Sequence, residues 1–294
     1  MRVFITGATG FIGTVVISEL IKKGHQVLGL SRTDEGAKSL RDAGAQVHRG
    51  NLDDLESLRS GAAMSDGVIH LAFNHDFSKY VDNCATDRRA IETMGAALAG
   101  SDRPFVVTGG IAVDAPGRAA TEDDPPSSMI PRAASELAAE AVAARGVRVS
   151  IVRLPQVHDL YKQGLITPLV EIARDKRVSA YVGDGANRWP AVHLNDCAQL
   201  YVLALEKGTA GARYHAVGEE GVALRAIAEV IGRRLKLPIV SKSLAEAPDH
   251  FGWLGMFAGR DATASSALTQ KRLGWHPSGA GLLADLERAH NLEQ

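Results

Sequence analysis

Thr6-Gly7-Ala8-Thr9-Gly10-Phe11-Ile12-Gly13 is the stretch that decides the fold. A short apolar run, residues 2–6, leads into it, and an amphipathic stretch over residues 13–23 leads out. A strand that meets a glycine loop and continues as a helix has a definite chemistry. Gly7 permits the tight turn, Gly10 lets the backbone approach a pyrophosphate, and Gly13 lets the helix pack closely on the strand. The helix N-terminus then offers free N–H groups and partial positive charge to phosphates. Gly7, Thr9, Gly10, Phe11, Ile12 and Gly13 are therefore candidate dinucleotide contacts. A plain glycine-rich turn is the competing reading, and the flanking strand and helix argue against it.

Outward from this loop, strand and helix patterns alternate. Residues 26–31, 46–49, 67–73, 105–108 and 150–154 read as short buried strands, and residues 33–43 and 133–144 as helices. Such alternation predicts βαβ units and a doubly wound parallel α/β sheet of the Rossmann type, covered on both faces. After Leu154 the pattern loosens. Residues 164–174, 195–205 and 222–235 look helical, with loops such as Val182-Gly183-Asp184-Gly185 between them. The expected organisation is a dinucleotide-binding domain over residues 1–155. A mixed C-terminal part over 156–294 carries a smaller substrate lobe and interleaves with the first. The Asp-, Pro- and Ser-rich residues 114–131 form a loop expected near the active site.

The second strand ends Leu28-Gly29-Leu30-Ser31-Arg32. An NAD-specific site usually places an acid there for the ribose 2′-hydroxyl. Ser31 and Arg32 instead offer a hydroxyl and a guanidinium fork suited to a 2′-phosphate. NADP is the expected cofactor. Asp34, two residues on, keeps NAD open, and a solvated surface arginine is the plainer reading of Arg32.

Composition sets outer bounds. The 294 residues are 45% hydrophobic and 23% charged, with a formal net charge of −1. That balance argues against nucleic-acid or anionic-membrane partners, which call for a basic excess. No apolar run reaches the length that spans a bilayer. No secretory leader is read before the first strand, so a cytoplasmic location is expected. Cys84 and Cys197 are too few for a disulfide framework. One His and one Asp in Asn74-His75-Asp76 do not make a metal site, and no metal is expected. A small-molecule substrate is the expected partner, and a homodimer is open.

Several spaced segments resemble extended and atypical short-chain dehydrogenases/reductases, the NAD-dependent epimerase/dehydratase-like group. Besides the glycine loop, Gly50-Asn51-Leu52-Asp53 is similar to the segment that flanks adenine there. His70-Leu71-Ala72 is similar to the fourth-strand end that lines the cofactor. Arg153-Leu154-Pro155-Gln156-Val157-His158 is similar to the Arg-x-Pro-x-Val-Tyr-Gly segment beside the nicotinamide, with His158 in the tyrosine's place. Val192-His193-Leu194-Asn195-Asp196-Cys197-Ala198 and Leu273-Gly274-Trp275-His276-Pro277 match further segments. The resemblance implies cofactor contacts from Asn51, Leu52, Leu71, Ala72, Thr108 and Pro155.

The catalytic motif departs from the resemblance. In place of Tyr-x-x-x-Lys, the register of Ser135, Glu136 and Glu140 puts Arg132 at the tyrosine and Glu136 at the lysine. The upstream hydroxyl falls within residues 107–110, where Thr108 is nearest. Arg132 and Glu136 stand four apart on one helix, so they are expected to pair, either for catalysis or as a surface ion pair. Arginine is a poor proton donor but can stabilise an oxyanion. The proton would then come from His158, Tyr161, Thr108 or water. Asn74, His75 and Phe77 are expected to rim the substrate cleft. Tyr181 and Trp189 serve as pocket walls or core. Residues 250–257, rich in rings and Met, form an apolar lid, a buried segment or a subunit contact. The resulting expectation is an NADP(H)-dependent oxidoreductase that reduces a small carbonyl or oxidises an alcohol. A non-catalytic NADP-binding sensor and an epimerase or dehydratase are the alternatives.

Overall fold

A computed structural model describes residues 1–292. The run Val3-Phe4-Ile5 forms β1 (Arg2–Thr6), and its alternating side chains set the layers. Val3 and Ile5 face one core with Val16, Leu20, Leu200 and Tyr201. Phe4 faces the other with Leu58, Val68, Met94 and Val142. This is the period-two alternation of a strand buried on both faces.

After β1 come α1 (Phe11–Lys22), β2 (Gln26–Ser31), α2 (Asp34–Asp42), β3 (Gln46–Arg49), α3 (Leu55–Ala63) and β4 (Gly67–His70). Then follow α4 (Tyr80–Leu98), β5 (Phe105–Gly110), α5 (Ala133–Ala143), β6 (Val149–Leu154) and β7 (Gln156–His158). The later part contains α6 (Ile166–Lys176), β8 (Ser179–Val182), β9 (Arg188–His193), α7 (Leu194–Lys207), β10 (Arg213–His215) and β11 (Glu219–Ala223). It ends with α8 (Leu224–Leu235), β12 (Ile239–Lys242), α9 (Ala247–Phe251), α10 (Gly255–Ala258), α11 (Ala267–Leu273) and α12 (Leu282–Glu287).

Seven strands form the main sheet in the order β10-β6-β5-β4-β1-β2-β3, all in parallel pairs. The expected doubly wound parallel sheet is present. The chain moves outward from β1 to β3 and then returns to lay β4 on β1's other side, pairing Ile5 with Ile69 and Thr6 with His70. The carboxyl ends of β1 and β4 therefore diverge at the point where an open sheet receives ligands.

From beyond residue 155, β10 pairs with β6 and α7 supplies Leu200, Tyr201 and Leu205 to the core under β1. A separate core joins α6, α8, β9 and α9 through Ile166, Trp189, Ile227, Ile231 and Phe251. It stands with a three-stranded sheet, β11-β9-β7, and a two-stranded one, β12-β8. No helix among the described residues is long and apolar enough to cross a membrane. Cys84 and Cys197 are both buried and free.

Some boundaries differ from expectation. β4 stops at His70 rather than running to residue 73; β1 turns away from it at Gly7, and its pairing with β5 also ends at His70 and Val107. Val222 lies in β11, not in the following helix. Helix α1 begins at Phe11, two residues before the expected start.

The packing of α1 on β1 depends on Gly13. A Cβ there would stand 2.1 Å from the Gly7 carbonyl oxygen, which is backbone and has little room to move. Gly13→Ala is expected to lower stability by about 1–3 kcal/mol, the usual cost of overpacking, as read from the urea midpoint.

Candidate active site

The glycine loop is shaped by backbone contacts. Gly7 has φ of +68°, and a Cβ there would lie 2.6 Å from the Ala72 amide nitrogen. Only glycine meets both demands. Gly10 is the N-cap of α1 and supplies no side-chain cap. A Cβ on Gly10 would touch only the Gly7 carbonyl oxygen, at 3.1 Å, and otherwise point into open space. The loop thus leaves a cradle in front of the first-turn N–H groups of α1, with a shape and polarity that fit a pyrophosphate. Phe11 and Ile12 lead the helix out of that cradle. Leu71 and Ala72 line its other side, with Ala72 N–H donating to Thr6 Oγ1 at 3.2 Å.

At the far end, Ser31 is buried, and its hydroxyl donates to the Thr33 carbonyl at 3.0 Å. Gly36 lies close enough that a Cβ would stand 2.6 Å from Ser31 Oγ and 3.2 Å from the Thr9 methyl, so α2 abuts the glycine loop. Arg32 is exposed. Asp34 is bound by Arg49 at 2.7 Å. Asn51 turns the neighbouring loop by accepting from the amides of Asp53 and Asp54, at 2.8 and 3.1 Å. Leu52 packs on the core behind that loop.

Beneath the ends of β1, β4 and β5 runs a buried polar chain. Thr6 Oγ1 meets His70 Nδ1 at 2.6 Å, and His70 Nε2 meets Asp87 Oδ1 at 3.0 Å. An ionised Asp87 only accepts, so the His70 proton sits on Nε2 and Nδ1 accepts from Thr6. Asp87 Oδ2 also accepts from Arg132 at 2.6 Å and from Ser135 Oγ at 2.5 Å. Burial alone would raise the Asp87 pKa. Arg132 and His70, with the hydrogen bonds from His70 and Ser135, outweigh it and hold the carboxyl well below the usual range. Arg132 further donates to Ser135 Oγ and to the Thr108 carbonyl, the latter at 3.0 Å, while its guanidinium covers the Phe73 ring at 4.1 Å.

These observations agree with a comparison of sequences. The sequence profile of the NAD dependent epimerase/dehydratase family matches residues 3–217. The chain belongs to this family. Its members are NAD(P)-dependent enzymes. An uncharacterized protein of Schizosaccharomyces pombe is 48% identical over 289 residues, spanning 97% of this chain and 98% of its own. Another, from Saccharomyces cerevisiae, is 46% identical over 297 residues, spanning 99% and 100%. Among solved structures, a double mutant of DesIV, the dTDP-glucose 4,6-dehydratase of Streptomyces venezuelae with NAD bound, has a TM-score of 0.79. It is 20% identical and covers 99% of this chain and 96% of its own. That likeness is one of fold.

Within this epimerase/dehydratase frame, the expected catalytic residues separate. Arg132 and Glu136 do not pair with each other. Glu136 is buried and held by Arg153, at 2.9 and 2.5 Å, and by Arg213 at 2.6 Å. Arg153 is itself fully buried and also meets His215 Nε2 at 3.1 Å. Arg132 is taken by Asp87, while Glu136 is taken by Arg153 and Arg213, so each charge is satisfied by a partner from another element. Thr108 Oγ1 donates to the His70 carbonyl at 2.7 Å, so the Tyr201 hydroxyl, also at 2.7 Å, donates to Thr108. The Thr108 proton is thereby committed. His158 is fully buried, with Nδ1 at 2.8 Å from Asp285 and Nε2 without a hydrogen-bond partner, 4.0 Å from Glu219. Desolvation lowers its pKa against the pull of Asp285. Its partners lie at the β9–α12 side, not in the Arg132 chain. Tyr161 is exposed and packs on His290. Pro155 joins β6 to β7.

The crevice above Arg132 gathers other groups. Phe73, His75 and Phe77 follow β4, with His75 edge-on to Phe73 at 5.5 Å. Lys162 approaches the Phe11 ring at 5.8 Å. His75 is exposed at its edge, yet partial desolvation, then Arg132 and Lys162, hold its pKa below the ordinary value. Residues 250–257 bring Trp253 and Phe257 to Phe77. Trp189 belongs to the second core, and Tyr181 lies under Arg225.

Asp87, Arg49, Lys162 and Tyr201 were not singled out from the sequence. Asp87 did leave a signal: it sits in register with Cys84, Ala90, Ile91, Met94 and Leu98 on the buried stripe of α4. An acid on such a stripe needs a cation. Asp87→Asn is expected to cost about 3–5 kcal/mol, since it strands Arg132. The low folded pKa means this stabilisation is complete above about pH 4, the unfolded carboxylate's value, and fades as pH falls further. Urea unfolding of both forms across pH checks this. Gly10→Ala, by contrast, is expected to unfold with the wild type yet lose dinucleotide binding, titrated with NADPH and with NADH in calorimetry.

Proposed function

We propose that this protein is an NADP(H)-dependent oxidoreductase that reduces a small carbonyl substrate or oxidises the corresponding alcohol. The observation that carries the proposal is the complete dinucleotide cradle with two guanidiniums at its ribose end. Arg49 pairs with Asp34 at 2.7 Å, one of the two acids, with Glu35, that follow the second strand. Arg32 is exposed and, among the described residues, pairs with no carboxylate. Ser31 adds a hydroxyl beside them.

When bound, the reduced dinucleotide supplies the hydride for the new C–H bond and is left oxidised, while the carbonyl π pair moves to oxygen. The residues do the rest. Gly10 and the first turn of α1 hold the phosphates. Arg132, fixed by Asp87, presents a constant positive field to the oxygen where charge develops. His75 delivers the proton to that oxygen. It is an imidazole in the crevice with access to solvent, whereas His158 is walled off and Thr108 is committed.

Arg32→Ala is expected to weaken NADPH binding about tenfold or more, the loss of a charge-assisted hydrogen bond. NADH binding should stay within about twofold on the same scale. Equal losses for both cofactors would sink the NADP reading. Because the His75 pKa is lowered, its protonated form grows only as pH falls below about 6.5. Carbonyl reduction should therefore accelerate on that acid limb, and His75→Phe should flatten it. A second reading, a dinucleotide sensor, is favoured by the locking of Arg132 and Glu136 in buried ion pairs. Tight NADPH binding with no absorbance loss at 340 nm, the reduced-nicotinamide band, across a panel of ketones and aldehydes would favour it.

A further inference from the structure

The crevice has an unusual wall. Phe73, His75, Phe77 and Tyr80 come from the segment after β4, and Trp253 and Phe257 from the α9–α10 region. Phe77 and Trp253 are parallel within 1°, with centroids 4.2 Å apart. Tyr80 and Phe257 close the group, each with centroid contacts to Phe77 of 5.4 and 6.3 Å. Trp253 is 37% exposed, whereas Trp189 and Trp275 are buried. Trp253 thus keeps exposed indole surface while stacked on Phe77.

The charges beside these rings are largely consumed. Arg132 is matched by Asp87, and Arg260 by Asp114 at 3.0 Å. Among the described residues, Lys162, near the Phe11 ring, and Lys79, between Phe77 and Tyr80, form no ion pair with a carboxylate. A sugar nucleotide needs several free donors for its diphosphate and hydroxyls. This wall offers π faces instead, which favour flat ligands in offset or edge contacts.

We infer that the exposed surface of the Phe77–Trp253 stack receives the ring of a flat aromatic carbonyl compound. The aryl ring lies against Trp253, and the carbonyl is directed inward past Phe73 towards Arg132. This rests on the carbonyl-reducing reading above, and the two are separated by measuring binding and turnover independently. The probes are 2-acetylnaphthalene, its saturated analogue 2-acetyldecalin, and UDP-glucose, each titrated by calorimetry into the NADPH-loaded protein. The aryl ketone should bind about tenfold more tightly than the saturated one, the scale of aromatic pairing beyond area burial. That preference should vanish in Trp253→Leu and in Phe77→Leu, with thermal unfolding used to confirm that each variant is folded. Stacking on this surface is overturned if the wild type binds neither ketone, binds both alike, or prefers UDP-glucose. It is overturned too if both folded variants keep the preference. Aryl-selective binding without NADPH consumption upholds the stacking and removes the oxidoreductase reading. Turnover of both ketones at equal affinity does the reverse.

Discussion

The Asp87 carboxylate is the constraint on which this crevice depends. It collects His70, Arg132 and Ser135, and so links the ends of β1 and β4 to the helices α4 and α5. A buried carboxylate without such partners would take up a proton or open the core. With them it stays charged, and the guanidinium of Arg132 cannot leave. The geometry of the crevice floor therefore follows from satisfying one acid, 45 residues upstream of its cation in the chain.

A second buried charge cluster sits one helical turn away. Glu136 is shared by Arg153 from β6 and Arg213 from β10, and Arg213 also meets Glu140. This ties α5 to the sheet edge. The two clusters explain why residues four apart on α5 ignore each other. An exposed i,i+4 pair contributes little, whereas each of these groups would be stranded without its deep partner. The positions at which the resemblance expects tyrosine and lysine thus hold the crevice together. In the proposed reduction the proton is therefore assigned to another element, the loop after β4, which carries His75.

The sequence carried the local information well. β2 and β3 fall at the expected bounds: β2 is a short apolar run that is buried, whereas β3, Gln-Val-His-Arg, is not buried and is held by its parallel pairing with β2. Gly10 and Gly13 likewise answer to the Gly7 backbone a few residues away, whereas Gly7 is also constrained by Ala72 after β4. What the sequence hid was long-range. His158 looked available as a proton donor until α12 delivered Asp285 to it from 127 positions away. Arg49 lay at the end of a strand with no motif to mark it, yet it is the group that pairs with Asp34. Neither partner can be found by spacing, because the sheet order brings them together.

The crevice has two walls of different physical character. Its floor is held by directional bonds between charged groups, which tolerate little displacement. Its outer wall is held by ring faces, which remain favourable over a range of offsets. The segment that carries Trp253 is anchored on its other side by Ala247, Phe251, Leu254 and Ala258 in the second core. Gly252, at φ of +56°, makes the turn that presents the indole. The ring wall therefore draws on both halves of the chain, Phe73, Phe77 and Tyr80 after β4 and Trp253 and Phe257 from the C-terminal part, whereas the charged floor is built wholly from residues 70–135.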